Sequence, residues 1–158
     1  MSFLIASGAA VLALTMQAQG TYAEPQTDSD AAVDECIAED RQNVPADQLS
    51  KADLATIIGC IFRATSDQIS SQLPMKMDAS TTLVAISSTG PRLNYTYLVD
   101  VSARDFGAQQ VATLAESTRL SVCRSGDMAD TISMGGSFFY RWVDKSGTAL
   151  HSMLIESC

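Results

Sequence analysis

Residues 50–74 read SKADLATIIGCIFRATSDQISSQLP. Their apolar side chains fall at Leu54, Ile57, Ile58, Ile61, Phe62, Ile69 and Leu73. That spacing lines one face of a helix. Ser50 and Asp53 form a capping-box start, the hydroxyl serving one free N–H and the carboxylate another. Pro74 stops the helix, because it disfavours the helical conformation at Leu73 and has no N–H to continue the ladder. The long apolar face needs a sheet to cover, and the sequence after Pro74 supplies one.

Downstream, Thr81–Ser87 is β-branched and apolar, and Arg92–Val101 alternates with Leu93, Tyr95, Tyr97, Val99 and Val101 on one side. Both read as strands, joined by the turn residues Ser88-Thr89-Gly90-Pro91. A helix follows over residues 105–123, with Val111, Leu114, Ala115, Thr118 and Val122 on its stripe. Residues 125–133 add a short extra turn before Gly135-Gly136 breaks the chain. Ser137–Asp144 and Thr148–Ser157 complete a second strand pair around Asp144-Lys145-Ser146-Gly147. Upstream, Ala31–Gln42 reads as a short acidic helix. The order α-α-β-β-α-β-β predicts an α+β fold: a four-stranded antiparallel sheet of two hairpins with helices packed against it.

Residues 3–16 are apolar, too short to span a bilayer and of the right length for the core of an export signal. The chain of 158 residues therefore divides into a signal peptide (1–23), a disordered acidic segment (24–30) and one domain (31–158). No second apolar run approaches spanning length, so no membrane span is expected once the signal is removed. The expected compartment is periplasmic or secreted. Four cysteines (Cys36, Cys60, Cys123, Cys158) behind an export signal read as a disulfide framework. Three pairings are open. Cys36–Cys60 with Cys123–Cys158 is favoured, since the first joins consecutive helices and the second ties a helix to the last residue.

The formal charge is −8 and unevenly spread: nine acids between Glu24 and Asp53 oppose only Arg41 and Lys51. The absence of a basic footprint excludes nucleic acid as a partner. A basic protein partner would meet the acidic helix, at Asp34, Glu35, Glu39 and Asp40. A second candidate surface for a partner or a homo-oligomer is the sheet face carrying Phe139, Val143, Met153 and Ile155. The alternative is that helices cover both faces.

No nucleophile elbow, phosphate loop, zinc or calcium pattern occurs, and His151 is the single histidine. Asp127 and Asp130 read as a solvated helix face. Asn94-Tyr95-Thr96 matches a glycosylation sequon that matters only in a eukaryotic secretory route. No catalytic residue, cofactor or metal is assigned.

Several short runs carry a resemblance: Leu73-Pro74, Asp78, Thr82-Leu83, Leu93-Asn94-Tyr95-Thr96-Tyr97, Cys123, Tyr140-Arg141-Trp142-Val143-Asp144-Lys145-Ser146-Gly147 and Cys158. In these the chain resembles a family of small bacterial exported proteins, some of them lipoproteins, with no assigned activity. The resemblance covers somewhat over half the chain. It implies the α+β fold and the Cys123–Cys158 bond, and offers no catalytic residue. The expectation is an exported, disulfide-stabilised binding protein: an inhibitor, an immunity-type protein or an accessory of an envelope complex. The alternatives are a small enzyme with an unrecognised carboxylate site and a self-associating structural component of the envelope.

Overall fold

The capped helix is where the sequence places it. The structure, a computed structural model, describes residues 35–37 and 43–158. The signal peptide, the acidic segment and most of the acidic helix lie outside those residues. Helix α1 spans Lys51–Ser70. The Ser50 hydroxyl accepts from the Asp53 N–H at 3.2 Å, and the Asp53 carboxylate accepts from the Ser50 N–H at 3.3 Å. The helix ends at Ser70, three residues before the expected Leu73, as Ser71 turns its hydroxyl back onto the Gln68 carbonyl. Its buried face is Ile58, Gly59, Phe62 and Ser66. Gly59 is there for closeness: a Cβ would meet the Gly90 carbonyl carbon at 3.1 Å. Helix α1 therefore lies directly on the turn between the first two long strands.

Five strands follow: β1 (Met75–Lys76), β2 (Thr81–Ser88), β3 (Arg92–Val99), β4 (Ser137–Val143) and β5 (Ala149–Ile155). Between β3 and β4 lie α2 (Ala108–Arg124) and α3 (Gly126–Ser133). The sheet order is β1-β2-β3-β4-β5. Pairs β1–β2, β2–β3 and β4–β5 are antiparallel, but β3 and β4 are parallel, in register from Arg92↔Ser137 to Leu98↔Val143. This corrects the expected four-stranded antiparallel sheet in two ways. Met75–Lys76, between the expected helix and the first expected strand, pairs with Leu83 and Thr82 as a fifth, edge strand. The two hairpins meet through a parallel pair because α2 and α3 carry the chain back to the end of the sheet where β3 began. The Ser137 N–H then bonds the Pro91 carbonyl at 2.9 Å, setting β4 beside the start of β3.

The core forms on one sheet face. Ile58 and Phe62 of α1, Val122 of α2 and Ile132 of α3 join Ile86, Leu93, Phe138, Tyr140, Trp142 and Ile155 in one buried cluster. Phe62 tilts onto Phe138 with ring centroids 5.5 Å apart. All three described helices thus pack on the same side.

Both favoured disulfides are present. Cys36–Cys60 ties the chain before α1 to its middle, and Cys123–Cys158 ties the end of α2 to the C-terminal residue, with Cα separations of 5.6 and 5.5 Å. The second bond closes a loop of 35 residues. In the chain-entropy account such a loop contributes about 3–4 kcal/mol. Replacing Cys123 and Cys158 together by Ser is expected to lower the urea midpoint by the equivalent of that amount. An unchanged midpoint would show that other contacts already constrain the loop.

Candidate functional site

Strand register builds a row of rings across the helix-covered face. Tyr95 stands opposite Tyr140 and Tyr97 opposite Trp142 in the parallel pair, and His151 stands opposite Trp142 on β5. Neighbouring strands lie about 4.8 Å apart, so rings on paired residues stack face to face. Centroids are 5.1 Å apart for Tyr95–Tyr140, 5.7 Å for Tyr140–Trp142 and 5.9 Å for Trp142–His151, with planes within 15° in each case. His151 is thus part of the stack.

Between this row and α2 runs an open trough. Two adjoining cavities of about 720 and 430 Å³ share Thr81, Ser117 and Trp142 in their linings. Tyr97, Tyr140, Trp142 and Val99 supply the sheet side. Helix α2 supplies the other wall, with Gln109, Gln110, Thr113, Ser117 and Ser121 among apolar Leu114 and Val122. The only ionisable carboxylate in either lining is Asp78, at one end. Its oxygen accepts from the Ser80 and Thr81 N–H groups, and these bonds hold its proton affinity below the ordinary value.

The phenols in the row hold their protons tightly. Burial pushes Tyr97 up to about 12 and moves Tyr95 and Tyr140 in the same direction. At neutral pH they are neutral O–H groups. The trough therefore offers an apolar, aromatic floor with neutral donors and a neutral polar wall. That chemistry suits an uncharged amphipathic polypeptide surface better than a charged metabolite.

A third cavity, of about 910 Å³, sits at the loop end of the sheet between residues 100–105 and 144–148. Its buried carboxylate, Asp144, is a loop anchor. It accepts from the Ser146 hydroxyl and from the Ser146, Thr148 and Ala103 N–H groups. The Ser146 hydroxyl leads in holding the Asp144 pKa down to about 2, with desolvation opposing it. Asp100, paired with Lys145, is lowered as well. A general acid needs the opposite shift. Among the described residues no group of His, Cys, Asp and Glu is arranged to hold a metal.

The residues expected to form one partner surface are split. Phe138 pairs with Ile155 and Phe139 with Leu154, so Ile155 is fully buried under the helices and Met153 stands beside Tyr140 on the same covered face. Phe139 and Val143 lie on the opposite, helix-free face, Phe139 half-buried and Val143 buried. Ile155 and Met153 therefore stand apart from Phe139 and Val143, contrary to the expectation: the antiparallel register of β4 and β5 puts odd residues of β5 beside even residues of β4. Glu35 is exposed next to Cys36, while Asp34, Glu39 and Asp40 lie outside the described residues. The aromatic row was partly legible, since the alternation of Leu93, Tyr95 and Tyr97 is plain. Its meeting with Tyr140 and Trp142 depends on the parallel register, which nothing local announces.

No family model matches the chain, and no curated protein matches it in sequence. Solved structures do match. The Vibrio vulnificus type 2 secretion system pilotin EpsS aligns over 66% of this chain and 92% of its own, with a TM-score of 0.56 at 12% identity. The type II secretion pilotin AspS of Vibrio cholerae aligns over 68% of this chain and 97% of its own, with a TM-score of 0.55 at 16% identity. The chain has the fold of these pilotins. A candidate secreted protein from Pseudomonas aeruginosa shares it, with a TM-score of 0.56 at 12% identity over 65% of this chain and 92% of its own. The pilotin fold thus accounts for nearly the whole of each matched chain.

The raised phenols give a signed expectation. A phenol that binds its proton more tightly when folded stabilises the fold fully below the unfolded value of about 10. That contribution is lost as pH climbs through 10 towards the folded value of about 12 for Tyr97. Urea midpoints should therefore fall between pH 10 and 12, with the tyrosinate absorbance of Tyr95, Tyr97 and Tyr140 appearing only at the upper end. These three phenols ionising together near pH 10 in the folded protein would contradict the buried row.

Proposed function

We propose that this chain is an exported accessory protein of an envelope secretion complex, and that it works by binding a protein partner. The observation that carries the reading is the shared fold with two type 2 secretion pilotins, covering 92% and 97% of those chains. The apolar run at residues 3–16 would direct export, and the two disulfides suit the oxidising side of the inner membrane. No described helix is long and apolar enough to cross a membrane.

The partner would bind in the trough between α2 and the aromatic row. An uncharged amphipathic helix or strand would lay its apolar side on the half-buried Tyr97, Val99 and Leu114 and hydrogen-bond Gln109, Gln110 and Thr113. The reaction-free lining supports binding over catalysis in this site: its one carboxylate is already bonded to backbone N–H groups.

In the host that carries this gene, deletion is expected to reduce exoproteins in the medium and leave them in the envelope. Wild-type protein supplied in trans should restore export. Thr113→Arg should not, since it places a charge on the exposed trough wall without touching the core. An unchanged secretome in the deletion strain would overturn the accessory reading. Full rescue by Thr113→Arg would move the binding site elsewhere.

A further inference from the structure

The two edges of the sheet are built differently. At one, β1 is two residues long and β2 carries a bulge between Leu83 and Ala85. The end of α1 also sits there, the Ser70 hydroxyl donating to the Ile86 carbonyl at 3.5 Å. Short strands, bulges and covering elements keep an edge from pairing, as do charges and proline. At the other edge, β5 runs for seven residues, Ala149–Ile155, without an acid, a lysine, an arginine or a proline. The strand cations Lys76, Arg92 and Arg141 lie on β1, β3 and β4, where register sets them on the helix-free face. The one irregularity of β5, opposite Trp142 and Val143, leaves residues 151–155 in regular register. The direction of its backbone groups follows from β4. The Ser137 N–H bonds to Pro91, so Ser137 and every second residue after it turn to β3, while Phe138, Tyr140 and Trp142 turn to β5. Their partners Ile155, Met153 and His151 use their backbone groups on β4. Ser152 and Leu154 turn theirs outward, where neither meets a partner among the described residues. Both residues are exposed, Leu154 at 38%.

We propose that a second copy of this chain occupies the β5 edge, the two β5 strands running antiparallel about a two-fold axis at Met153. In that register Ser152 faces Leu154 of the second copy, and Leu154 faces its Ser152. Each outward N–H and C=O of these residues then meets a counterpart, and the same patch serves both copies. The side chains agree with this match. Met153 meets Met153 on the helix-covered side, and exposed Leu154 gains the Ser152 side of the other strand on the helix-free side. No like charges are opposed, because β5 has none. A second copy also has an advantage over a flexible foreign segment: both strands are already held extended, so pairing orders little new chain. The helices leave room. Helix α2 crosses the sheet obliquely, its first half lining the trough beside Thr81 and Val99. Its last turns reach the chain just after β5, where Arg119 donates to the Ser157 carbonyl at 3.2 Å and Cys123 bonds Cys158. The two-fold axis sends those turns to opposite ends of the paired strands. Both helix layers stay on one side of a continuous sheet, so the two troughs open the same way.

Sedimentation equilibrium of the oxidised protein should show a reversible monomer–dimer equilibrium. A single strand pair is a small interface, below the roughly 1,200 Å² of stable complexes, so the dimer should gain weight only towards high concentration. The amides of Ser152 and Leu154, fast to exchange in dilute protein, should slow over the same range. Ser152→Pro removes an N–H that β5 does not use within its own sheet, and should weaken association at least tenfold. Thiols test the register. Met153→Cys sets its two copies in a directly opposed pair with Cα atoms about 4.5 Å apart, and should form an interchain disulfide under mild oxidation. Ser152→Cys alone should not, since its copies lie on a diagonal beyond the roughly 7 Å a disulfide can span; mixed with Leu154→Cys it should. A protein that stays monomeric up to about 1 mM would overturn the proposal. So would a dimer that Ser152→Pro leaves intact, or one in which Met153→Cys bridges no better than Ser152→Cys. If Ser152→Pro does not fold, the thiol pairs decide alone.

Discussion

The parallel pairing of β3 and β4 is the constraint on which the rest of the structure depends. Seven residue pairs, from Arg92↔Ser137 to Leu98↔Val143, run in register through the centre of the sheet. Two adjacent parallel strands cannot be joined by a tight turn; the chain must cross back over the sheet. Helices α2 and α3 are that crossover. Their buried residues, Val122 and Ile132, enter the same cluster as Ile58 and Phe62 of α1. One pairing thus sets the direction of β4, the place of the crossover and the face on which the core forms.

The same register creates the site. Tyr95 meets Tyr140 and Tyr97 meets Trp142 only because the strands run the same way with this offset. The rings stack, lose water and keep their protons. The trough beside α2 is neutral as a result, while the other face of the sheet holds every strand cation. Two surfaces of opposite character back onto one another across a single sheet. The disulfides fix their surroundings: Cys123–Cys158 holds the end of the trough wall to the C-terminus, and Cys36–Cys60 ties Cys36 to α1 beside the β2–β3 turn.

What could be read from the sequence was what is local. The Ser50–Asp53 box, the strand at Leu93–Val99, the helix through Val111–Val122 and the β4–β5 hairpin are short-range patterns, and the structure contains each. Non-local choices were not legible. Alternation in β4 shows two apolar faces but not which neighbour it takes, so the sheet was read as two antiparallel hairpins. No local signal aligns β5 with β4, so alternation alone does not separate Met153 and Ile155 from Phe139 and Val143. The edge strand Met75–Lys76 is too short for any periodicity. Of the site, the sequence showed Tyr95 and Tyr97 on one face; Trp142 and the α2 wall reach them only through the crossover.

Native-state hydrogen exchange, resolved by residue, tests the dependence on the central pair most directly. Local openings expose edges first, and the slowest amides mark the part that opens only on global unfolding. The account predicts the slowest exchange at the hydrogen-bonded amides of Leu93–Val99 and Phe138–Val143, with β1 and the outer edge of β5 exchanging much faster. Slowest exchange confined to α1 and the β2–β3 hairpin, with β4 exchanging early, would contradict it.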